Sequence, residues 1–361
     1  VKDINFKERS KKIQNKIIEK DIDLLLITPS INFGYLFQGF FSLSERLICG
    51  MVFPDDQTQL VTPSFEKERM QIETTFDDVI TWQEDENPYE ILRKSIDKKI
   101  NTIALESSAP FDVYVRLKKQ FPEAKFVNGG LFIKELRSIK NDAEIERMRK
   151  AANWTAEGII KTLDIIKEDQ SELEVLKIVQ EQMSSLSNEP GWAIVQFDEN
   201  SAIPHGHPSK KKLKKDSIVL IDAGTTCEHY FADITVTSVF GKASKEFLEI
   251  YSIVEEANEA ALAASKEGIP AENVDFAART VIEKAGYGEY FTHRLGHGLG
   301  LEVHEDPYIV KGNKNLLVNG NVHTDEPGIY IPNKFGVRIE DDVLVSKKGE
   351  RLVTFVRKLW K

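Results

Sequence analysis

Histidine is missing from the first two hundred residues of this 361-residue chain; all seven lie between His205 and His323. Chemistry that needs an imidazole, whether proton transfer or metal ligation, is therefore confined to the C-terminal part. Cysteine is almost as scarce. Cys49 and Cys227 stand far apart, which excludes a disulfide framework or a thiolate metal site and fits the reducing cytoplasm. No apolar run approaches the length of a membrane span, and the charged opening VKDINFKERSKK has no signal-peptide core, so a soluble cytoplasmic protein is expected. Gly/Ser, Pro-rich and other low-complexity tracts are also lacking, which leaves no compositional reason for disorder. Positive charge is in deficit: the formal net charge of -10 argues against nucleic-acid or anionic-membrane partners. The one basic run, KKKLKK at 210–215, is read as a solvated loop.

What is present is organised in two parts, as the length of the chain leads one to expect. Residues 1–135 alternate helical spacing (FKERSKKIQNKIIEK, SFEKERMQIE, PYEILRKSIDKK, FDVYVRLKKQF) with strand-like runs (DLLLIT, LICGMVF, QLVTP, DVITW, TIALE, KFVN). Such alternation predicts a small α/β domain, ending in the 130–140 region after Asn128-Gly129-Gly130. Residues 136–361 form the second domain. It opens on a long helix with Asn141 or Asp142 as N-cap and Glu144 placed for a capping box, then a helix at SELEVLKIVQEQM, where Ser171 and Glu174 repeat that spacing. Two strand-like runs joined by a Gly/Thr turn follow. Helix, helix and strand pair then recur, from Ser244 to Ala264, after Pro270, and from Glu326 to Val345. The offset is about one hundred residues throughout, which indicates an internal duplication.

Acids mark both strand pairs. Asp222 in VLIDAG and Asp233 in YFADITV straddle a turn that is expected to set them across from each other, as neighbours on one sheet face. Glu326 in TDEPGIYIP and Glu340 in FGVRIEDDV straddle a second turn at Pro332-Asn333-Lys334. Arg338, two residues before Glu340, shares its strand face and is placed to hold a carboxylate. Any one such acid has an ordinary surface reading. Four in two duplicated strand pairs, embedded in apolar runs, repel one another and call for a cation. With one imidazole they suit two divalent metals, and the oxygen-rich set favours manganese, cobalt, zinc or iron. The candidate imidazoles sit in HRLGHGLGLEVHEDP, residues 293–307. Gly296, Gly298 and Gly300 argue against a helix there. In extended chain His297 and His304 then point opposite ways and take different roles.

The stretches NSAIPHGHP, VLIDAG, FADITVT, HRLGHGLGLEVHE, DEPGIYIP and GVRIEDD resemble those of the metal-dependent Xaa-Pro peptidases. These are the prolidases and aminopeptidase P, which share the pita-bread fold with methionine aminopeptidase. PSINFGYLFQGF at 29–40 is similar to a recurrent stretch of their N-terminal domain. The resemblance implies an α/β (α+β) protein: a small N-terminal α/β domain, then a pita-bread catalytic domain with an internal pseudo-twofold repeat.

It further implies that Asp222, Asp233, His297, Glu326 and Glu340 ligate two divalent ions, manganese foremost with cobalt or zinc as alternatives. Asp233 and Glu340 would bridge the ions, His297 and Glu326 would belong to one, and Asp222 to the other. Glu326 is expected to shuttle a proton to the leaving proline nitrogen. His304 would hydrogen-bond the substrate carbonyl and the developing oxyanion, and His205 would steady the substrate. His293 ranks below His304 as a substrate contact, and Arg338 completes the substrate-binding set. The glycines around His297 are expected to let substrate backbone approach. His207, His229 and His323 are read as loop or surface residues. The expected substrates are proline-containing di- or oligopeptides, and a homodimer is implied. Tyr308 stands after Pro307, where some prolidases carry a carboxylate-binding arginine, which leaves dipeptide and longer-peptide cleavage both open. The competing readings are a non-catalytic pita-bread binding protein, which typically loses several of these ligands, a metal-free creatinase-like hydrolase, and methionine aminopeptidase.

Overall fold

Runs of four to six residues build the first sheet; those at its centre, LLLI and CGMV, are buried throughout and so read as continuous rather than alternating. In the computed structural model, which describes residues 3–55 and 57–355, they become β1 (Leu24–Ile27), β2 (Cys49–Val52), β3 (Thr58–Pro63), β4 (Asp78–Trp82), β5 (Thr102–Leu105) and β6 (Lys125–Asn128). Their order is β4-β3-β2-β1-β5-β6. The sheet is mixed: β1 pairs antiparallel with β2 and parallel with β5. Its core gathers Leu24, Leu26, Val61, Trp82, Leu92, Ile103 and Leu117. This unit spans Asp3–Arg137, and a second begins at Ser138. Two helices of the first unit escape the sequence pattern, Ile31–Phe37 and Gly130–Ser138. The first holds three aromatics and a glycine in seven residues, all poor helix formers, and tertiary packing overrides that preference.

The second unit starts with α1 (Asp142–Ile165) and α2 (Glu172–Ser187). Both capping boxes form, Asn141 with Glu144 and Ser171 with Glu174. Next come β7 (Trp192–Phe197), β8 (Ser217–Gly224), the short β9 (Thr226–Cys227) and β10 (Tyr230–Phe231), and β11 (Ile234–Phe240). The three long strands make an antiparallel sheet in the order β11-β8-β7. The pattern then repeats, as the spacing predicts. α3 (Lys245–Ala264) and α4 (Ala271–Lys284) precede β12 (Gly296–Gly298), β13 (Glu305–Ile309), β14 (Val322–Asp325), β15 (Gly328–Ile331), β16 (Phe335–Arg338), β17 (Asp341–Leu344) and β18 (Glu350–Arg351). The sheet order there is β13-β12-β14-β17-β18, with β15 and β16 paired separately.

α3 buries Phe247, Ile250, Val254, Ala257 and Ala261, the three- and four-residue spacing of one helix face. That face packs with Ile329, Phe335, Val337 and Ile339 from the strands. Helices thus cover one side of the strands, and the acids collect on them away from that core. The basic run is a surface feature neutralised locally: Lys211 pairs with Glu199, Lys212 with Glu174 at 3.0 Å, and Lys214 with Asp169.

Candidate metal centre

β8 and β11 pair with Asp222 opposite Thr235. Asp233 lies two residues earlier on the same face, so the two acids are diagonal neighbours rather than the directly opposed pair expected; the short strands β9 and β10 lengthen the turn and shift the register. One guanidinium bridges the directly opposed residues. Arg338 donates from Nη2 to Asp222 Oδ2 at 2.7 Å and from Nε to Thr235 Oγ1 at 3.0 Å. Arg338 does hold a carboxylate, but that of Asp222; Glu340 Oε2 is 3.9 Å from its Nε.

The second strand pair opens where its acids stand. Asp325 pairs with Asp341 and Gly328 with Arg338, so the register runs unbroken past Glu326 and Glu340. At those two positions the backbone turns to other partners. Glu326 N–H donates to the Leu295 carbonyl at 3.0 Å and Glu340 N–H to the Thr235 carbonyl at 3.2 Å. Because β strands pair through these groups, the opening ties each acid to a neighbouring strand. Glu340 is joined to β11 and hence to Asp222 and Asp233.

His297, in the middle of β12, completes the cluster. Its Nδ1–H donates to the Gly298 carbonyl at 3.1 Å, which leaves Nε2 as the free lone pair. That nitrogen lies 3.4 Å from Glu326 Oε1 and 3.9 Å from Asp233 Oδ2. Donor atoms of Asp233, His297 and Glu340 all fall within 4.8 Å of one another, as one cation would require. Asp222 Oδ1 and Asp233 Oδ1 are buried without a hydrogen-bond partner, and an orphaned buried carboxylate oxygen is costly unless a cation meets it.

Electrostatics point the same way. Burial, then the charges of Glu340, Asp222 and Glu326, hold Asp233 well above the usual carboxylate range. Burial and then Glu326 and Asp222 do the same to Glu340. Burial pushes Glu326 up to about 7, against the pull of Arg338. Burial likewise pushes His297 down to about 3, so the imidazole is neutral and able to ligate. Three carboxyls held up in this way, with Asp222 beside them, form a site whose ionised state needs positive charge.

The cluster lines a cleft of about 850 Å³ with Trp192, Ile194, Pro204, His205, His293, Arg294, Val303 and His304. His304 and His297 do not point apart: their ring centroids are 4.1 Å from each other, edge to face. The chain between them is a bend rather than an extended strand, returning so that Gly298 pairs with Glu305. Their environments still differ, since His304 is exposed and His297 buried. His205 is exposed on the cleft wall. His293 is held in a relay: its Nδ1–H donates to the Arg294 carbonyl at 2.7 Å, the Tyr330 hydroxyl donates to its Nε2 at 2.9 Å, and Arg338 Nη1 donates to that hydroxyl at 3.0 Å.

Two further expectations fail. A Cβ on Gly296 would lie 2.0 Å from the Thr324 carbonyl oxygen, and one on Gly298 would lie 2.2 Å from that of Asp306. These glycines admit neighbouring backbone, not substrate. His323 is not at the surface but wholly buried on β14, against Ser265 Oγ at 3.1 Å and the Thr324 carbonyl at 2.8 Å; His207 and His229 are exposed as expected. Sequence reasoning also passed over Thr235, Thr324, Tyr330 and Arg294. The signal for Arg294 was there, in the HRLGHG motif itself.

Residues 146–347 match metallopeptidase family M24. The chain belongs to that family. Residues 9–139 match the creatinase/prolidase N-terminal domain. An uncharacterized peptidase of Staphylococcus aureus (strain USA300) is 38% identical over 354 residues, covering 96% of this chain and 99% of its own. A recombinant prolidase from Thermococcus sibiricus is 36% identical with a TM-score of 0.90, and the match covers 99% of each chain. An Xaa-Pro dipeptidase from Bacillus anthracis is 29% identical, also at 0.90, over 98% of this chain and 99% of that one. This M24 protein is accordingly a metallopeptidase that works with divalent ions, built as an N-terminal α/β unit followed by the M24 catalytic fold. Among the described residues no helix is long and apolar enough to cross a membrane.

Proposed function

We propose that the protein hydrolyses the Xaa-Pro bond of dipeptides or short peptides, with two divalent ions held by Asp222, Asp233, His297, Glu326 and Glu340. The observation that carries this reading is the convergence of those five side chains, from both halves of the duplicated unit, on one buried cleft. The likeness to a prolidase and an Xaa-Pro dipeptidase over nearly the whole chain supports the choice of substrate. We assign manganese as the native metal, cobalt and zinc being the alternatives the same ligands admit. The homodimer and the cytoplasmic location belong to this reading as well.

Two such ions, held by those five side chains, would supply a water of lowered pKa and an electrophile for the scissile carbonyl. Glu326 sits beside His297 at the open side of the cluster and carries the proton from the attacking water to the proline nitrogen. Exposed to the cleft and 4.1 Å from the His297 ring, His304 donates to the substrate carbonyl as its oxygen gains charge. His205 and His293 contact the substrate from the walls. Arg338 orients Asp222 through its 2.7 Å hydrogen bond, while remaining part of the lining. Trp192, Ile194 and Val303 supply the apolar wall that a proline ring needs.

Hydrolysis of Ala-Pro and Ala-Pro-Ala, measured before chelation, after exhaustive chelation and after manganese readdition, tests the reading. Activity should vanish and return with the metal. Cleavage that survives metal removal contradicts it.

A further inference from the structure

The loop that carries His304 is built around a buried ion pair. Lys140 Nζ lies 2.6 Å from Glu305 Oε1, with the two side chains 1% and 4% exposed. Taking both charges out of water gains little stability by itself, so what the pair holds in place is the more telling fact. Neither residue is part of the cleft lining. Glu305, however, directly follows His304, and the two face opposite ways: His304 is exposed in the cleft and Glu305 is buried.

Residues 299–304 form a bend that leaves β12 and returns to β13, closed at its neck by the pairing of Gly298 with Glu305. The ion pair fills the inside of that bend: a Cβ on Gly300 would lie 2.7 Å from Glu305 Oε1 and 2.9 Å from Lys140 Cε. Lys140 is itself anchored. Its N–H donates to the Gly320 carbonyl at 2.8 Å, Ile139 bridges to Asn321, and Asn321 Nδ2 donates to the Ser138 carbonyl at 2.8 Å. Residues 320 and 321 lead into β14, which pairs with β12, the strand of His297. The ammonium therefore ties the His304 bend to the same frame that carries the imidazole assigned to the metal. Among the described residues the His304 ring makes no hydrogen bond; its contact is the His297 ring. With no partner to orient the ring, the backbone under it decides where the imidazole stands.

We propose that the Lys140–Glu305 ion pair positions His304: by holding the bend against the β12 and β14 frame, it sets the imidazole at the substrate carbonyl. The proposal rests on the reading of His304 as a substrate contact given above. Lys140 and Glu305 are positioning residues that act through His304.

The test measures Ala-Pro hydrolysis and bound manganese on the full chain for wild type, Lys140→Met, Lys140→Arg, His304→Ala and the double variant His304→Ala/Lys140→Met. Lys140→Met should keep its manganese and lower kcat by about 10- to 100-fold, the cost of a misplaced group at the reacting centre, with KM nearly unchanged. Lys140→Arg, which keeps the charge in a bulkier head, should recover part of that loss. In the His304→Ala background, Lys140→Met should cost less than about threefold more, since two residues acting through one imidazole do not add. The metal-free proteins give a second readout. The His304 ring-proton resonances, assigned by their loss in His304→Ala, should shift in Lys140→Met while those of His207 stay. Should methionine alone prevent folding, Lys140→Met/Glu305→Gln, which removes both buried charges, takes its place with the same expectations. A folded variant with wild-type kcat, or an equal loss in both backgrounds, overturns the proposal while leaving the role of His304 standing. A His304→Ala enzyme with wild-type kcat overturns that role and the proposal together. A loaded wild type that does not cleave Ala-Pro contradicts the Xaa-Pro reading and the proposal with it.

Discussion

The hydroxyl of Thr235 donates to Glu340 Oε2 at 2.6 Å, joining the first strand pair to the second inside the cleft. Thr235 Oγ1 in turn accepts from Arg338 Nε at 3.0 Å. Thr324 repeats the device in the other half, accepting the His297 backbone N–H at 3.0 Å and donating to Glu326 Oε1 at 3.1 Å. In each half a threonine hydroxyl fixes one oxygen of one acid.

Removing that hydroxyl should loosen the metal centre without emptying the core. Thr235→Val keeps the volume and leaves Glu340 without its donor. Manganese affinity should weaken by about 10- to 100-fold, the usual cost of losing a partner that orients a ligand. Thr235→Ser should restore most of it. Titration of the metal-free protein with manganese checks both; equal affinities in wild type and Thr235→Val would refute the role.

The duplication, the two capping boxes and the four acids were legible in the sequence because each depends on local spacing. Thr235 and Thr324 were not, since nothing local distinguishes a threonine opposite an acid from any strand threonine. Register decided the rest. A turn lengthened by β9 and β10 moved Asp233 from opposite Asp222 to its diagonal, and a bend between Gly298 and Glu305 brought His304 against His297. His323 carries no signal of its own burial. The resemblance to known peptidases supplied roles that residue chemistry alone left open, but the glycine argument was drawn from flexibility when the cause is close packing of strands.

Gly298→Ala tests that cause. The new Cβ meets Asp306 backbone oxygen and carbon at 2.2 and 2.3 Å, so a strand must move. The expected cost is about 1–3 kcal/mol or more, seen as a lower melting temperature of the metal-free protein. A variant as stable as wild type with a raised KM would instead support the substrate-approach reading.

His323 predicts a pH dependence. Burial pushes its pKa down to about 4, below the ordinary 6.5 of the unfolded chain. The folded state therefore binds fewer protons between these values, and stability is full above about 6.5 and falls progressively toward pH 4. The loss is on the order of 3 kcal/mol. Melting temperatures of metal-free wild type and His323→Gln across this window should diverge, with the wild type falling more steeply on acidification. Parallel curves would show that His323 does not carry the effect.

The central claim assigns the two neighbouring imidazoles to different work, His297 to the metal and His304 to the substrate. Manganese content and kcat, measured together on His297→Ala and His304→Ala, test it most directly. His297→Ala should lose bound metal, and His304→Ala should keep it while kcat falls by about 100-fold or more, as for loss of one oxyanion donor. Equal loss of metal from both variants, or full metal retention in His297→Ala, would contradict the account.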